Sequence, residues 1–242
     1  MANDQKTREI QFFFDSKWLA YRDFLELDLL NHQDFFGKLA KHIETHAPKN
    51  YSLLDLACGD CDPTSKMLIN SHCGDYVGVD NAGDVLKLGQ ENLKPITLNN
   101  QAINLNLVEM DFIEYLKTAS RSFDVILLSY SIHHLTTEDK QVVFNQAFKK
   151  LNKGGFFAVI DGMKLKNQSR MEWLELCYGY MEKKSQGRCE ESCKTVKAHM
   201  IAADFPEESE HYIQMAKLAG FGPIELELEE VAGLGILFAH KS

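Results

Sequence analysis

Short apolar segments alternate with amphipathic helical segments over residues 51–161, and this alternation restricts the fold more than any other feature of the sequence. The apolar segments, which we predict to be strands, are residues 51–56, 76–80, 103–107, 123–128 and 156–161. Strands that alternate with helices predict a parallel sheet with right-handed crossovers and helices on both faces. Two later apolar segments, 224–230 and 235–239, predict an antiparallel hairpin at the sheet.

Helical periodicity fills the intervals between these strands and extends beyond them. The predicted helices are residues 4–26, 31–46, 82–93, 138–151 and 207–219, with a shorter helix after Pro63. Gly154 is expected to supply the positive φ angle that ends the helix at 138–151. Residues 163–206 break the alternation and are predicted to form a largely helical insertion.

Length and composition indicate one large globular domain. The 242 residues include 45% hydrophobic and 25% charged residues, which is ordinary for a soluble protein with its own apolar core. The net charge of −9 disfavours a large contact with nucleic acid or with anionic membranes, because both carry negative charge. We therefore expect neither as a partner.

The first residues and the cysteines favour a cytoplasmic location. The N-terminus lacks the apolar segment of a secretory signal, and no apolar run approaches the about 20 residues that cross a bilayer. All cysteines are expected to be free thiols. Cys58 and Cys61 have the C-x-x-C spacing of a zinc site, but Cys177, Cys189 and Cys193 complete it only if the insertion folds onto that loop. We predict no metal site.

Polar residues stand at the ends of four successive predicted strands, at Asp55, Asp80, Asp111 and Ser129. Each acid also has a purely structural explanation, since Asp55 could cap a turn, Asp80 could cap a helix, and Asp111 could form a capping box with Glu114. Capping explains four such residues in succession poorly. Ligands of parallel sheets lie outside the carboxyl ends of the strands, so we predict a ligand site there.

The residue types at these strand ends indicate an adenosine-containing ligand. A glycine-containing loop after the first strand lets backbone approach a ligand closely, and Asp80 is placed to accept hydrogen bonds from a ribose diol. A nicotinamide dinucleotide requires three spaced glycines that face a pyrophosphate. Asp60 and Asp62 in this loop would repel a pyrophosphate, whereas Asp55 suits a cationic group.

In combination these residues resemble the class I S-adenosylmethionine-dependent methyltransferase family, in its small-molecule branch. Residues 54–61 (LDLACGDC) resemble its first motif, with Ala57 and Cys61 in place of two glycines. The further matches are Asp80, Asp111-Phe112, residues 123–135, Leu151 to Gly155, and Leu218 to Phe221. The resemblance implies a Rossmann-like, doubly wound, mostly parallel seven-stranded α/β sheet with a C-terminal antiparallel hairpin and a helical lid.

The same resemblance implies one methyltransferase domain over residues 1–242 and a cofactor, S-adenosyl-L-methionine, with S-adenosyl-L-homocysteine as product. The implied parts are an N-terminal helical cap (1–48), a cofactor-binding core (49–162), a helical lid (163–206), and a last helix with the hairpin (207–242). Asp55 would orient the ammonium group, Asp80 would hold the ribose, and Asp111 would accept the adenine amino group. The implied cofactor-binding residues are Asp55, Ala57, Cys58, Gly59, Asp80, Asn81, Asp111, Phe112, Ser129 and Tyr130.

A small molecule is the acceptor that we expect, because the segment after the fourth strand is not the N-P-P-Y-like motif of enzymes that act on nucleic acid. His133 and His134 follow this strand directly and are the candidate catalytic bases, although adjacent residues cannot both face the site. Asp161 is a further candidate acid or base. The predicted substrate pocket contains Phe13, Trp18, Tyr21, His134, Met163 and Trp173.

Two other functions stay open from the sequence. One is a non-catalytic relative that binds the cofactor or a partner protein, which the altered glycine loop permits. The other is a nicotinamide-dependent oxidoreductase, which Asp60 and Asp62 disfavour. The sequence is compatible with a monomer or a homodimer.

Overall fold

The computed structural model describes residues 21–99 and 103–242, in which seven strands form one mixed sheet. In chain order the strands are β1 (Ser52–Leu56), β2 (Asp75–Asp80), β3 (Asn104–Glu109), β4 (Phe123–Ser129), β5 (Leu151–Gly162), β6 (Ile224–Glu229) and β7 (Leu234–His240). After a helical stretch at 21–26, the helices are α1 (His32–His46), α2 (Asp62–Leu68), α3 (Gly83–Asn99), α4 (Phe112–Thr118), α5 (Thr137–Lys150), α6 (Arg170–Ser185), α7 (Glu190–Ala203) and α8 (Ser209–Ala219).

The strand order in the sheet is β3-β2-β1-β4-β5-β7-β6. Strand β1 pairs in parallel with both β2 and β4, and β7 pairs antiparallel with β5 and β6. The α/β fold with a mostly parallel, Rossmann-like sheet and a C-terminal antiparallel hairpin is therefore confirmed. The chain reverses its direction of winding between β1 and β4, and this is where ligands of such sheets bind.

The core lies on both faces of the sheet. In β4, Val125 and Leu127 belong to one apolar cluster while Ile126 and Leu128 belong to the other, because successive side chains of a strand point to opposite faces. All of these side chains are fully buried, which explains why the strand is continuously apolar in sequence. Helices α1 to α3 cover the first face, and α4, α5 and α8 cover the second.

Helices α6 and α7 form the predicted helical lid, which has an apolar cluster of its own. Helix α6 begins at a capping box. The Glu172 N–H donates to the Ser169 hydroxyl oxygen, and the Ser169 N–H donates to the Glu172 carboxylate. The Trp173 indole N–H donates to the Gly233 carbonyl at 2.8 Å, next to the start of β7. A Cβ at Gly162 would lie 2.5 Å from the Trp173 ring, so this glycine allows the lid to approach β5.

Two details differ from the sequence-based expectations. The prediction that Gly154 caps a helix is wrong, because α5 ends at Lys150 and Gly154, with φ 81°, lies inside β5 where the register against β4 shifts. Helix α3 continues to Asn99 rather than ending at residue 93. Most of the predicted helix 4–26 lies outside the described residues. None of the helices in the described part of the chain is long and apolar enough to cross a membrane.

Candidate active site

The loop after β1 curls at the carboxyl edge of the sheet. Ala57, Gly59 and Cys61 have positive φ angles of 52°, 54° and 57°, and two of these three residues carry a side chain. A Cβ added at Gly59 would meet no atom of the described part of the chain within 4 Å, so these residues leave the space above the loop open. The loop therefore presents its backbone, rather than side chains, to a ligand at that point.

Cys61 stands where the first motif has a glycine, and its side chain turns into the protein. It is fully buried, and its sulfur lies 3.3 Å from the Tyr76 hydroxyl oxygen. A Cβ at Gly89 of α3 would lie 3.1 Å from this sulfur, so Gly89 leaves the space that the thiol occupies. The departure from the motif is therefore accommodated beneath the loop and does not fill the ligand side. All six cysteines are free thiols, as expected.

Asp55 is a fully buried carboxyl group within β1 that is only half satisfied. Its Oδ2 accepts hydrogen bonds from the hydroxyls of Thr64 at 2.7 Å and Tyr76 at 3.0 Å. Within residues 21–99 and 103–242, its buried Oδ1 has no hydrogen-bond partner. Burial raises the pKa of Asp55 to about 7, although the hydrogen bonds from Thr64 and Tyr76 oppose this rise. An unpaired buried carboxylate oxygen of this kind favours a cationic ligand group.

Asp80 ends β2 and is held against the β1 loop by backbone donors. The Gly59 N–H donates to its Oδ2 and the Ala82 N–H to its Oδ1, both at 2.9 Å. Each carboxylate oxygen can accept two hydrogen bonds, so this anchoring is compatible with ribose hydroxyls as further donors. The half-buried Asn81 follows directly.

Asp111 is the N-cap of α4, and its Oδ1 accepts a hydrogen bond from the Glu114 N–H at 2.9 Å. The capping explanation for this acid is therefore correct, and it does not conflict with ligand binding because the carboxylate has a second oxygen. Phe112 is the first residue of the helix and is half-buried. Both residues thus stand in the turn that follows β3.

The loop after β4 joins the strand to the segment that precedes α1. Tyr130 has φ 49°, and its buried hydroxyl donates to the Leu30 carbonyl at 2.7 Å. The Ser129 carbonyl at the end of β4 accepts a hydrogen bond from the Ser131 hydroxyl at 3.1 Å. The first turn of the loop is therefore fixed by internal bonds on both sides of Tyr130.

His133 is enclosed by two carboxylates from other parts of the chain. Its Nδ1 is hydrogen-bonded to Asp161, and its Nε2 lies 3.6 Å from the Asp204 Oδ1. Burial alone would lower the pKa of His133, but the charges of Asp161 and Asp204 raise it to about 9. This imidazole is therefore protonated at neutral pH, and it holds a proton rather than accepting one.

Asp161 and Asp204 explain how the β4 loop is positioned. Asp161, at the end of β5, accepts hydrogen bonds from the backbone N–H groups of Ser131 and Ile132, both at 2.9 Å. Asp204 directly follows α7 and therefore links the lid to the loop through His133. The fully buried Asp161 is thus bound to loop donors, which makes it a positioning residue rather than an available acid or base.

His134 is turned toward the end of the lid. Its Nδ1 lies 3.3 Å from the Ala203 carbonyl oxygen and 3.4 Å from the Asp204 Oδ1, and its ring is 5.2 Å from that of His199. Both His133 and His134 thus contact the last residues of the lid segment.

Comparisons with known proteins agree with this geometry. Residues 53–155 match a family model described as a methyltransferase domain. An uncharacterized methyltransferase from Bacillus mycoides is 23% identical over 154 residues, which are 63% of this chain and 67% of that protein. Residues 53–155 thus match a methyltransferase domain, in agreement with the resemblance of the sequence motifs to the class I S-adenosylmethionine-dependent family.

Solved structures of such methyltransferases share the fold. Magnesium protoporphyrin IX methyltransferase from Synechocystis, with bound S-adenosylhomocysteine, aligns with a TM-score of 0.64 at 11% identity over 98% of this chain and all of the other (100%). A possible histamine N-methyltransferase from Thermotoga maritima aligns with a TM-score of 0.57 at 14% identity, over 96% of this chain and 99% of that one. These two structures show the shared fold, while the match to a methyltransferase domain favours methyl transfer over the nicotinamide alternative.

A histidine that the sequence analysis missed, His32, lies beside Tyr130. The ring of His32 lies 4.5 Å from that of Tyr130 and 6.4 Å from that of Tyr21. His32 is 5% exposed, and neither ring nitrogen has a hydrogen-bond partner among the residues that the structure describes. Burial lowers the pKa of His32 to about 4, so the ring is neutral. No sequence signal marks it, because it begins α1 rather than following a strand.

The predicted substrate pocket is placed only in part. Burial raises the pKa of Tyr21 well above its usual range, and the carboxylates of Asp60 and Asp62 raise it further. Met163 and Trp173 are 1% and 2% exposed and pack in apolar clusters. The predicted pocket residues Phe13 and Trp18 lie outside the described residues.

Proposed function

We propose that this methyltransferase moves a methyl group from S-adenosylmethionine to a small-molecule acceptor. The observation that carries the proposal is the buried His32, whose ring lies between those of Tyr21 and Tyr130. The two related structures named above are called methyltransferases of a porphyrin and, possibly, of histamine, which are both small molecules. A ring as buried as that of His32 is too enclosed to contact an acceptor atom on the surface of a macromolecule.

The lid and the segment before α1 close over this edge as one packed unit. Phe24 and Leu29 belong to the same apolar cluster as Trp173 and Leu174 of α6. The Tyr180 hydroxyl of α6 donates to the Asn31 side-chain oxygen at 2.7 Å. This cover supports water exclusion, which methyl transfer requires because water competes with the acceptor.

In the proposal, the residues predicted for the cofactor keep their roles. The unpartnered Oδ1 of Asp55 accepts the ammonium group, and Asp80, beside the Gly59 backbone, accepts the ribose hydroxyls. The adenine lies at the turn of Asp111 and Phe112. The remaining contacts are the backbone of Ala57, Cys58, Gly59, Asn81 and Ser129, with Tyr130 on the acceptor side. The bound cofactor supplies an activated methyl group on sulfur.

We assign the acceptor-positioning role to His32 rather than to His133 or His134. A neutral imidazole with two unbonded nitrogens can accept a hydrogen bond from an acceptor O–H or N–H. His133 is protonated and bound between Asp161 and Asp204, so it positions the β4 loop and the lid. Holding the acceptor atom at a near-attack distance of roughly 3–3.5 Å is the contribution of such residues to the rate.

The test is methyl transfer from radiolabelled S-adenosylmethionine to a panel of alcohols, phenols, amines and carbon acids, with a tRNA mixture and a protein lysate as macromolecular acceptors. The proposal expects label in a small acceptor, with release of S-adenosylhomocysteine. Label only in RNA or protein would overturn the small-molecule assignment. Binding of the cofactor without transfer to any acceptor would indicate a non-catalytic relative instead.

A further inference from the structure

Three histidines and a glutamate meet at the edge of the sheet opposite the active site. His42 and His46 are four residues apart on α1 and so share one face of the helix. His240 is the last residue of β7 and lies opposite Phe156 of β5, because these two strands are antiparallel. The carboxyl end of β5, where Asp161 faces the active site, is thus at the other end of the strand.

The nitrogen atoms of this group are close enough to share an ion. The Nε2 atoms of His42 and His240 are 3.0 Å apart, and the Glu225 Oε1 lies 3.7 Å from the His240 Nε2. The ring of His46 is 4.1 Å from that of His42 and 5.1 Å from that of His240. One ligand atom from each of the four residues lies within 4.8 Å of every other.

The surrounding contacts orient two of the rings. The His42 ring stacks on Phe238, with centroids 3.7 Å apart and an interplanar angle of 3°. The Nδ1 of His46 lies 3.0 Å from the His42 carbonyl oxygen, to which it can donate, and this bond leaves the Nε2 of His46 as the ligand atom. A backbone acceptor on the second ring nitrogen is the usual way in which metal-binding histidines are oriented.

We propose that His42, His46, His240 and Glu225 bind a divalent transition metal ion, with Zn²⁺ as the reference ion. Imidazole nitrogens bind Zn²⁺ at about 2.0–2.1 Å in a tetrahedron, which places ligand atoms about 3.3 Å apart, close to the spacing of the two facing nitrogens. His42 and His240 are 8% and 9% exposed, while His46 and Glu225 are exposed, so solvent reaches the site from one side.

The site would be structural rather than catalytic. Four protein ligands complete the coordination of Zn²⁺ and leave no position for water or substrate. The ion would join α1 to the hairpin of β6 and β7, which pairs with β5. Helix α1 begins at His32 in the proposed acceptor site and carries His42 and His46 near its other end. The ion would therefore fix the position of this helix. The proposal does not depend on the identity of the acceptor.

The experiment titrates the full chain, produced without a polyhistidine tag and treated with a chelator, with Co²⁺ and Zn²⁺. Visible Co²⁺ absorption reports tetrahedral coordination, and calorimetry and the thermal midpoint report Zn²⁺ binding. We expect one tightly bound ion and a raised Tm. H46Q removes an exposed ligand with little risk to folding and should weaken binding by more than about tenfold, as should H240Q.

Two control variants locate the ion. H72Q changes an exposed histidine outside the cluster, and H134Q changes the other histidine group of the chain, which also contains His133 and Asp204. Both should bind Zn²⁺ like the unchanged protein. Absence of binding in the unchanged protein, equal affinity in H46Q, or loss of binding in H134Q would each overturn the proposal. Affinity for S-adenosylhomocysteine, measured in parallel, tests the active site separately.

Discussion

The rings of His32 and Tyr130 lie 4.5 Å apart, and this contact joins the start of α1 to the loop that follows β4. The Tyr130 hydroxyl strengthens the junction through its hydrogen bond to the Leu30 carbonyl. Two segments that are about 100 residues apart in sequence thus form one wall above the carboxyl edge of the sheet. The neutral imidazole of His32, which has no hydrogen-bond partner in the described ranges, stands in that wall, where we propose that an acceptor meets the cofactor.

Replacing His32 should impair turnover without loss of cofactor binding. H32F keeps an aromatic ring in contact with Tyr130 but removes the nitrogen acceptors, and we expect kcat/KM to fall about tenfold, the equivalent of one hydrogen bond of roughly 1.4 kcal/mol. The Kd for S-adenosylhomocysteine should stay unchanged. H72F, at an exposed position, is the matched control. Equal kcat/KM in H32F and H72F would remove His32 from the acceptor site.

Binding of the cofactor should depend on pH through Asp55. A cationic ammonium group favours the ionised carboxylate, so the affinity should rise about tenfold per pH unit below the Asp55 pKa of about 7 and level off above it. Calorimetry with S-adenosylhomocysteine between pH 5 and pH 8.5 measures this dependence. D55N should bind weakly and show a flatter profile. Since burial also raises the pKa of the nearby Asp60 to about 6, the contrast with D55N isolates the contribution of Asp55.

Asp80 should make the binding of the cofactor depend on its ribose hydroxyls. D80A should weaken the binding of S-adenosylhomocysteine by at least about 1.5 kcal/mol, the scale of a lost charge-assisted hydrogen bond. Part of that loss would come from the β1 loop, because Asp80 also accepts the Gly59 and Ala82 N–H groups. A cofactor analogue without ribose hydroxyls separates the two effects. The unchanged protein should bind the analogue less tightly than S-adenosylhomocysteine, whereas D80A should bind the two ligands with equal affinity. A similar difference in affinity between the two ligands in both proteins would refute the ribose contact.

The ion pairs of His133 should make stability depend on pH. The pKa of His133 is about 9 in the folded protein, above the ordinary value of 6.5, so the folded state keeps a proton that the unfolded chain releases. This stabilisation is complete below pH 6.5, is lost as the pH rises through 9, and amounts to about 3 kcal/mol. Urea unfolding of the unchanged protein and H133Q at pH 6 and pH 9.5 measures it. The difference between the two proteins should shrink at the higher pH, and a constant difference would contradict the pKa.

The features that sequence reasoning recovered are those encoded locally. Strands such as β4 are apolar on both faces, so the pattern was sufficient to locate them. It also located Asp55 in β1 and Asp80 in β2, while the roles of these two acids stay predictions. Gly154 was misassigned because a positive φ angle suits a helix cap and a strand irregularity equally. Local pattern does not decide between these two structures.

The remaining features depend on contacts between distant residues. His133 was a reasonable candidate base by position, yet Asp161 and Asp204, which set its protonation, are separated from it by 28 and about 70 residues. The cluster of His42 and His46 with His240 likewise forms only when β7 returns beside β5. The spacing of residues along the sequence does not reveal a protonation state or a metal-ligand geometry when the contacting residues come from another part of the chain.

A crystal structure of the complex with S-adenosylhomocysteine tests the central claim most directly. The account predicts the ammonium group within about 3 Å of the Asp55 Oδ1, the ribose hydroxyls at Asp80, and the sulfur directed toward Tyr21, His32 and Tyr130. A nucleoside bound away from the carboxyl ends of β1 and β2, or one whose sulfur points away from His32, would contradict it.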